Sequence, residues 1–165
     1  LHQLLGTSYL QMKISNDVVG IEYAATLKNV YALASGIAHG LGYGDNFQSV
    51  LISNSSREMN RFIKKISKNK RNINHSAYLG DLLVTAYSLF SRNRRFGNMI
   101  GRGYTVKGAQ IEMSMIAEGY YASESAFKVS KKIGSDTPII DTVYQILSLK
   151  KSPKKTFKKL SKKLD

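Results

Sequence analysis

The sequence predicts an all-α, multi-helix domain packed around one buried central helix. Three observations carry this. From Val18 to about Ala38 the residues are apolar or small on every side: Val18, Val19, Ile21, Ala24, Ala25, Leu27, Val30, Leu33, Ala34 and Ile37. A helix without a polar face belongs at the centre of a domain. Proline occurs only at Pro138 and Pro153, each directly after a Thr or Ser, where it suits the first turn of a helix rather than its interior. Alternation of apolar and polar residues is confined to 11–15, which reads as a short strand with no convincing partner later in the chain. The length of 165 residues suits one domain with one core.

In chain order, Asn16 is the expected N-cap of the central helix, with Asp17 in its first turn. Gly36, Gly40, Gly42 and Gly44 are expected to break that helix into a loop. Their spacing mimics a dinucleotide fingerprint, but it follows a helix and not a strand, so tight turning and close helix packing explain it better. His39 reads as a loop or capping residue, since no second ligand stands at metal spacing. Asp45 caps a helix reaching about Lys68, with Phe47, Val50, Leu51, Phe62, Ile63 and Ile66 as its stripe. Further helices are expected from Asp81, from Ser91, from Thr105, from Glu118 to about Ile133, from Thr137-Pro138 to about Leu149, and from Ser152-Pro153. The last buries Phe157, Leu160 and Leu164 and shows lysine elsewhere, a solvated face. The count is seven to nine helices.

Composition narrows the chemistry. There is no Cys, so disulfides and thiolate metal sites are excluded. No apolar run reaches the roughly 18–20 residues of a membrane span. A secretory signal is not apparent, and the start at Leu1 without Met suggests a fragment. The formal charge of +14 admits nucleic acid, an anionic membrane or an acidic partner. Much of it is local: eight of the 25 basic residues lie in the last sixteen positions, and six more between Arg61 and Arg71.

Two places carry candidate chemistry. Lys28 lies in the middle of the apolar helix, with Ala24, Ala25, Tyr31 and Ala32 as helical neighbours. Burial among uncharged groups favours the neutral amine; the alternative is a lysine that snorkels out past small alanines. The second place is 79–95. Asp81 and Thr85 share a helical face, and Ser91 precedes Arg92-Asn93-Arg94-Arg95 where another helix begins. A helix start with Ser, Arg and Asn has the chemistry an oxyanion needs, namely free N–H groups and a bidentate guanidinium. The alternative is a surface turn with solvated arginines.

Taken together, three segments resemble the C-terminal domain of bacterial NAD(P)-dependent glycerol-3-phosphate dehydrogenase. They are Val19-Gly20-Ile21-Glu22 leading into Ala25-Thr26-Leu27-Lys28-Asn29-Val30, the run from Gly36 to Gly44-Asp45-Asn46, and Gly80-Asp81-Leu82 to Thr85 followed by Ser91-Arg92-Asn93-Arg94. Ala117-Glu118-Gly119 and Thr137-Pro138-Ile139 follow at familiar distances. The resemblance runs from about Asn16 to the end, and the wording of 23–46 and 72–97 looks like the Bacteroidetes branch. It implies a fold like the C-terminal domain of 6-phosphogluconate dehydrogenase, with 16–165 as the helical domain and 1–15 as the last strand and linker of a preceding Rossmann domain. It also implies interconversion of sn-glycerol 3-phosphate and dihydroxyacetone phosphate with NAD or NADP. The implied setting is cytoplasmic, without metal, feeding glycerophospholipid synthesis. The fragment alone should then be inactive. Its implied partners are the substrate and the Rossmann domain of the same protein, and a homodimer is compatible with it.

Carried over residue by residue, Lys28 matches the catalytic base. Asp81 matches the acid that orients lysine and substrate hydroxyl, and Thr85 a neighbouring substrate contact. Ser91, Arg92 and Asn93 match the substrate-phosphate group. Arg92, Ile116 and Glu118 match cofactor-contacting positions. The competing reading is a basic helical module that binds nucleic acid or an anionic membrane.

Overall fold

A computed structural model describes residues 2–113, 115 and 117–165, with side chains from Leu4 onward. Among the described residues every regular element is helical: α1 (His2–Leu5), α2 (Val18–Gly40), α3 (Asp45–Ile66), a π-helical turn (Ser76–Gly80), α4 (Asp81–Tyr87), α5 (Arg92–Gly101), α6 (Val106–Glu112), α7 (Glu118–Ile133), α8 (Pro138–Leu147) and α9 (Pro153–Leu160). The short strand expected at 11–15 does not form. Strand backbone must bond to a neighbour, and no other strand is present among the described residues.

The 23-residue α2 is the axis. At 1.5 Å per residue it spans about 34 Å, and its apolar circumference lets α3, α4, α5, α7 and α8 all pack on it. Leu27, Val30, Tyr31, Leu33, Ala34, Ile37 and Ala38 are buried at its surface. Its contacts with α5 are the most extensive. Contrary to expectation, Gly36 and Gly40 do not break α2; the helix runs through both, and the chain turns at Gly42, where φ is +88°. These two glycines serve packing instead. A Cβ on Gly36 would run into the Arg94 carbonyl, and one on Gly97 into the Leu33 carbonyl. Gly40 and Gly101 repeat the arrangement one turn on. The backbones of α2 and α5 thus lie against each other, running in the same direction, and the start of α5 is set beside the middle of α2.

Local chemistry places the other boundaries. Ser91, Thr105 and Ser152 accept hydrogen bonds from Arg94, Gly108 and Lys155 N–H, so each caps the helix it precedes. Gly134 ends α7 in the left-handed conformation, φ +60°. At α8 the side chain of Thr137 does not cap. Glu58, wholly buried on α3, supplies the acceptors: Ile139 N–H donates to Oε2 at 2.8 Å and Ile140 N–H to Oε1 at 3.0 Å. At α2 the N-cap is Asp17 rather than Asn16, and its carboxylate bonds no helix N–H. It is turned to Arg71, Tyr78 and Asn69 instead.

Candidate functional site

The centre of α2 carries Lys28 and Asn29, and two different elements come to meet them. The π-helical turn ends at Gly80 and delivers Asp81 at the first residue of α4. Lys28 Nζ donates to both oxygens of that carboxylate, at 2.6 Å and 2.7 Å. The side chains are 23% and 33% exposed, so the pair lies at a rim open to solvent and not in the core. This corrects one expectation. Lys28 is neither deeply buried nor among uncharged groups; its counter-ion comes from 53 residues further along the chain, out of reach of helical-neighbour reasoning. Thr85 stands one turn after Asp81, as its spacing requires, and its hydroxyl donates back to the Asp81 carbonyl at 2.6 Å.

The start of α5 meets Asn29. Asn93 Nδ2 donates to Asn29 Oδ1 at 3.0 Å, while Asn93 Oδ1 accepts from Gly119 N–H at 2.9 Å. Asn93 is 8% exposed. Gly119 is required at that place, because a Cβ would come to 2.6 Å from the Asn29 carbonyl oxygen and 2.9 Å from Asn93 Oδ1. Three residues in a bonded line therefore join α2, α5 and α7. Each is the chain neighbour of a residue with candidate chemistry: Lys28, Arg92 and Glu118.

Arg92 is partly exposed at the first position of α5. Its guanidinium lies 3.9 Å from Glu118 Oε1 and 3.8 Å from Met115 Sδ. Ser91 Oγ is occupied as the α5 cap. Of the residues expected to act together, Lys28 and Asp81 are joined directly, Thr85 touches Asp81, and Arg92 touches Glu118. Asn93 is a strut inside the protein rather than a free ligand. Ile116 lies outside the described residues. The strut partner Asn29 was legible as a polar residue in an apolar helix, but its role needed the fold. Beside Arg92's neighbour Met115 lies a cavity of about 240 Å³ lined by Phe96, Gln110, Met113, Met115, Ala117, Tyr120 and Tyr121. No group of three or more His, Cys, Asp or Glu is arranged to hold a metal among the described residues.

One strongly perturbed group lies at the other end of α2. The Arg71 guanidinium holds the Asp17 carboxyl well below the usual carboxylate range against the opposing effect of burial, with Tyr78 and Asn69 adding to the lowering.

Residues 17–158 match the family model of the NAD-dependent glycerol-3-phosphate dehydrogenase C-terminus. A glycerol-3-phosphate dehydrogenase [NAD(P)+] of an Exiguobacterium species is 39% identical over 163 residues, 99% of this chain and 48% of that protein. One from Chlorobium chlorochromatii is 37% identical over 147 residues, 89% of this chain and 44% of that protein. The chain thus spans about half the length of these relatives. The crystal structure of glycerol-3-phosphate dehydrogenase from Coxiella burnetii superposes with a TM-score of 0.91 at 30% identity, covering 96% of this chain and 49% of that one. DsGPDH of Dunaliella salina gives 0.83 at 26% identity, covering 95% and 29%. The family model covers most of the chain, and the chain belongs to the NAD-dependent glycerol-3-phosphate dehydrogenase family, of which it is the C-terminal, all-α domain.

Proposed function

We propose that this domain is the substrate-binding and catalytic half of an enzyme that interconverts sn-glycerol 3-phosphate and dihydroxyacetone phosphate. The observation that carries the reading is the Lys28–Asp81 pair on the solvent-open middle of α2. Asp81 accepts from Nζ and aims the amine. When the alcohol is oxidised, the neutral amine takes the proton of the substrate's secondary hydroxyl. In the reverse direction the ammonium returns it to the developing alkoxide. A positioned base of this kind contributes about 10²–10⁴ in rate. Thr85 borders the same end.

The phosphate end of the substrate falls to the start of α5. The Arg92 guanidinium presents a planar fork, and the first N–H groups of a ten-residue helix point outward beside it. Ser91 and Asn93 flank this place. Asn93 serves it as a strut, holding the start of α5 against Asn29 in the middle of α2.

NAD or NADP, when bound, supplies the redox half of the reaction. This chain offers a dinucleotide only an edge: Arg92 and Glu118 are exposed side by side, and no βαβ unit exists among the described residues. We infer that a separate domain holds the dinucleotide and that residues 1–15 connect to it. The expected setting is the cytoplasm, feeding glycerophospholipid synthesis; no described helix is long and apolar enough to cross a membrane. The basic-module reading has less support, since the two arginines of the first basic region, Arg61 and Arg71, are paired with Asp136 and Asp17.

Calorimetric titration of the protein with glycerol 3-phosphate, glycerol and inorganic phosphate tests the assignment. Glycerol 3-phosphate should bind most tightly, phosphate about tenfold more weakly or worse, and glycerol not measurably. Equal affinity for phosphate and glycerol 3-phosphate would remove the hydroxyl end of the site.

A further inference from the structure

The Asp17 carboxylate accepts more hydrogen bonds than capping a helix needs, and none of them comes from a helix N–H. Arg71 Nε donates to Oδ2 at 2.6 Å and Arg71 Nη2 to Oδ1 at 3.1 Å. The Tyr78 hydroxyl donates to Oδ2 at 2.6 Å, and Asn69 Nδ2 to Oδ1 at 3.3 Å. The Arg71 side chain is 2% exposed and that of Asp17 9%. Gly20 makes the arrangement possible, because a Cβ there would run into the Asp17 carboxylate. Arg71 also donates to the Ser67 carbonyl at 3.3 Å and 3.4 Å, which ties the segment leaving α3 into the same knot.

A buried ion pair is a poor device for stability alone, since desolvating both charges offsets most of their attraction. What it supplies is geometry. Tyr78 sits in the π-helical turn, three residues before Asp81. Asp17 begins α2, and Lys28 lies eleven residues further along it, about 16 Å at helical rise. The same two pieces of chain are thus joined at three places: by the buried cluster before Asp81, by the Lys28–Asp81 pair, and by the packing of Leu82 and Ala86 of α4 on α2 beyond it, where Ser35 Oγ donates to the Ala86 carbonyl at 3.0 Å. The ion pair is partly exposed and too weak to fix the segment by itself, so the buried cluster is what holds the side of Asp81 away from α4.

We propose that Asp17, acting through Arg71 and Tyr78, is a positioning residue that sets where Asp81 stands relative to Lys28. This rests on the reading that Lys28 and Asp81 act at the hydroxyl end of the substrate. The phosphate end is held independently, by the glycine packing of α5 on α2 and by the Asn29–Asn93–Gly119 line. Loosening the Asp17 cluster therefore misaligns proton transfer and leaves substrate binding in place. A displacement of the order of an ångström at a reacting group costs up to about a hundredfold in rate.

The test uses the full-length protein with Asp17→Asn and Tyr78→Phe. Glu58→Gln serves as a control, a buried acid bonded to the start of α8 and not to the Asp17 cluster. The readouts are kcat and KM for glycerol 3-phosphate oxidation well below the melting temperature, together with crystal structures. Asp17→Asn should lower kcat about tenfold or more and Tyr78→Phe about threefold, with KM within about threefold of the parent. The Lys28 Nζ to Asp81 carboxylate distance in Asp17→Asn should exceed about 3.5 Å. Glu58→Gln should keep the parental kcat whatever its melting temperature. An unchanged kcat with the pair intact overturns the proposal, as does an equal loss in Glu58→Gln. If Asp17→Asn does not fold, Tyr78→Phe decides by the same criteria. If the parent protein does not turn over glycerol 3-phosphate, the functional reading falls, and the crystallographic distance alone decides the positioning role.

Discussion

The side chain of Asn93 is bonded at both ends, its amide donating to Asn29 at 3.0 Å and its oxygen accepting from the Gly119 N–H at 2.9 Å. One buried amide thereby sets the spacing of three helices, at the point where Lys28, Arg92 and Glu118 stand next in the chain. Asn93→Ala leaves the Gly119 N–H and the Asn29 oxygen without their partner. Orphaning the buried Gly119 N–H costs about 1–3 kcal/mol and the half-buried Asn29 oxygen less, and the loss should appear as a lower midpoint in urea denaturation with an unchanged slope. A midpoint within error of the parent would show that the line carries no stability.

Gly97→Ala should be more damaging than its chemistry suggests. Its Cβ would meet the Leu33 carbonyl and lie 3.0 Å from Ile37 N and 3.1 Å from Gly36 Cα, all backbone atoms that cannot turn away. Forcing the helices apart should cost about 1–3 kcal/mol and weaken glycerol 3-phosphate binding, because α5 carries Arg92. Gly44→Ala, with open space around its Cβ and an extended backbone, is the control and should stay within about 0.5 kcal/mol of the parent. Equal effects of the two substitutions would refute the close-packing account.

Glu58 makes stability depend on pH. Burial pushes its carboxyl up to about 8 from the usual 4.5, although the Ile139 and Ile140 N–H groups and Arg61 pull the other way. The folded state then binds a proton that the unfolded state has released, so stability is highest below about pH 4.5 on this account and falls as pH rises towards about 8. Asp17 acts oppositely: its lowered value contributes stability above about pH 3.8 that is lost in stronger acid. Thermal melts of the parent and Glu58→Gln between pH 5 and pH 8 should diverge, the parent losing stability with rising pH and the variant much less. Parallel curves would show that Glu58 does not titrate in this range.

Much of this architecture is legible in the sequence because helix boundaries are local. Ser91, Thr105, Ser152 and the Thr137-Pro138 pair each announce a helix start, and each helix begins there. The apolar circumference of α2 likewise announces its central place. What was not legible depends on distance along the chain. A glycine four residues from another reads equally well as a loop or as a helix-packing contact until α5 is set beside it, which is why Gly36 and Gly40 were expected to break α2. Lys28 had no visible counter-ion because Asp81 is 53 residues away, and Arg71 showed none because Asp17 is 54 residues away. The resemblance named the candidate residues of the site; the bonds that hold Asn29 to Asn93 and Asp17 to Arg71 came only from the fold.

The most direct measurement of the central claim is steady-state turnover of glycerol 3-phosphate by full-length protein carrying Lys28→Ala, with circular dichroism as the check on folding. The account predicts that kcat/KM falls by about 10²–10⁴ while the helical signal is retained, because the substrate hydroxyl loses the amine that takes its proton. Turnover within about threefold of the parent by a folded Lys28→Ala protein would contradict it.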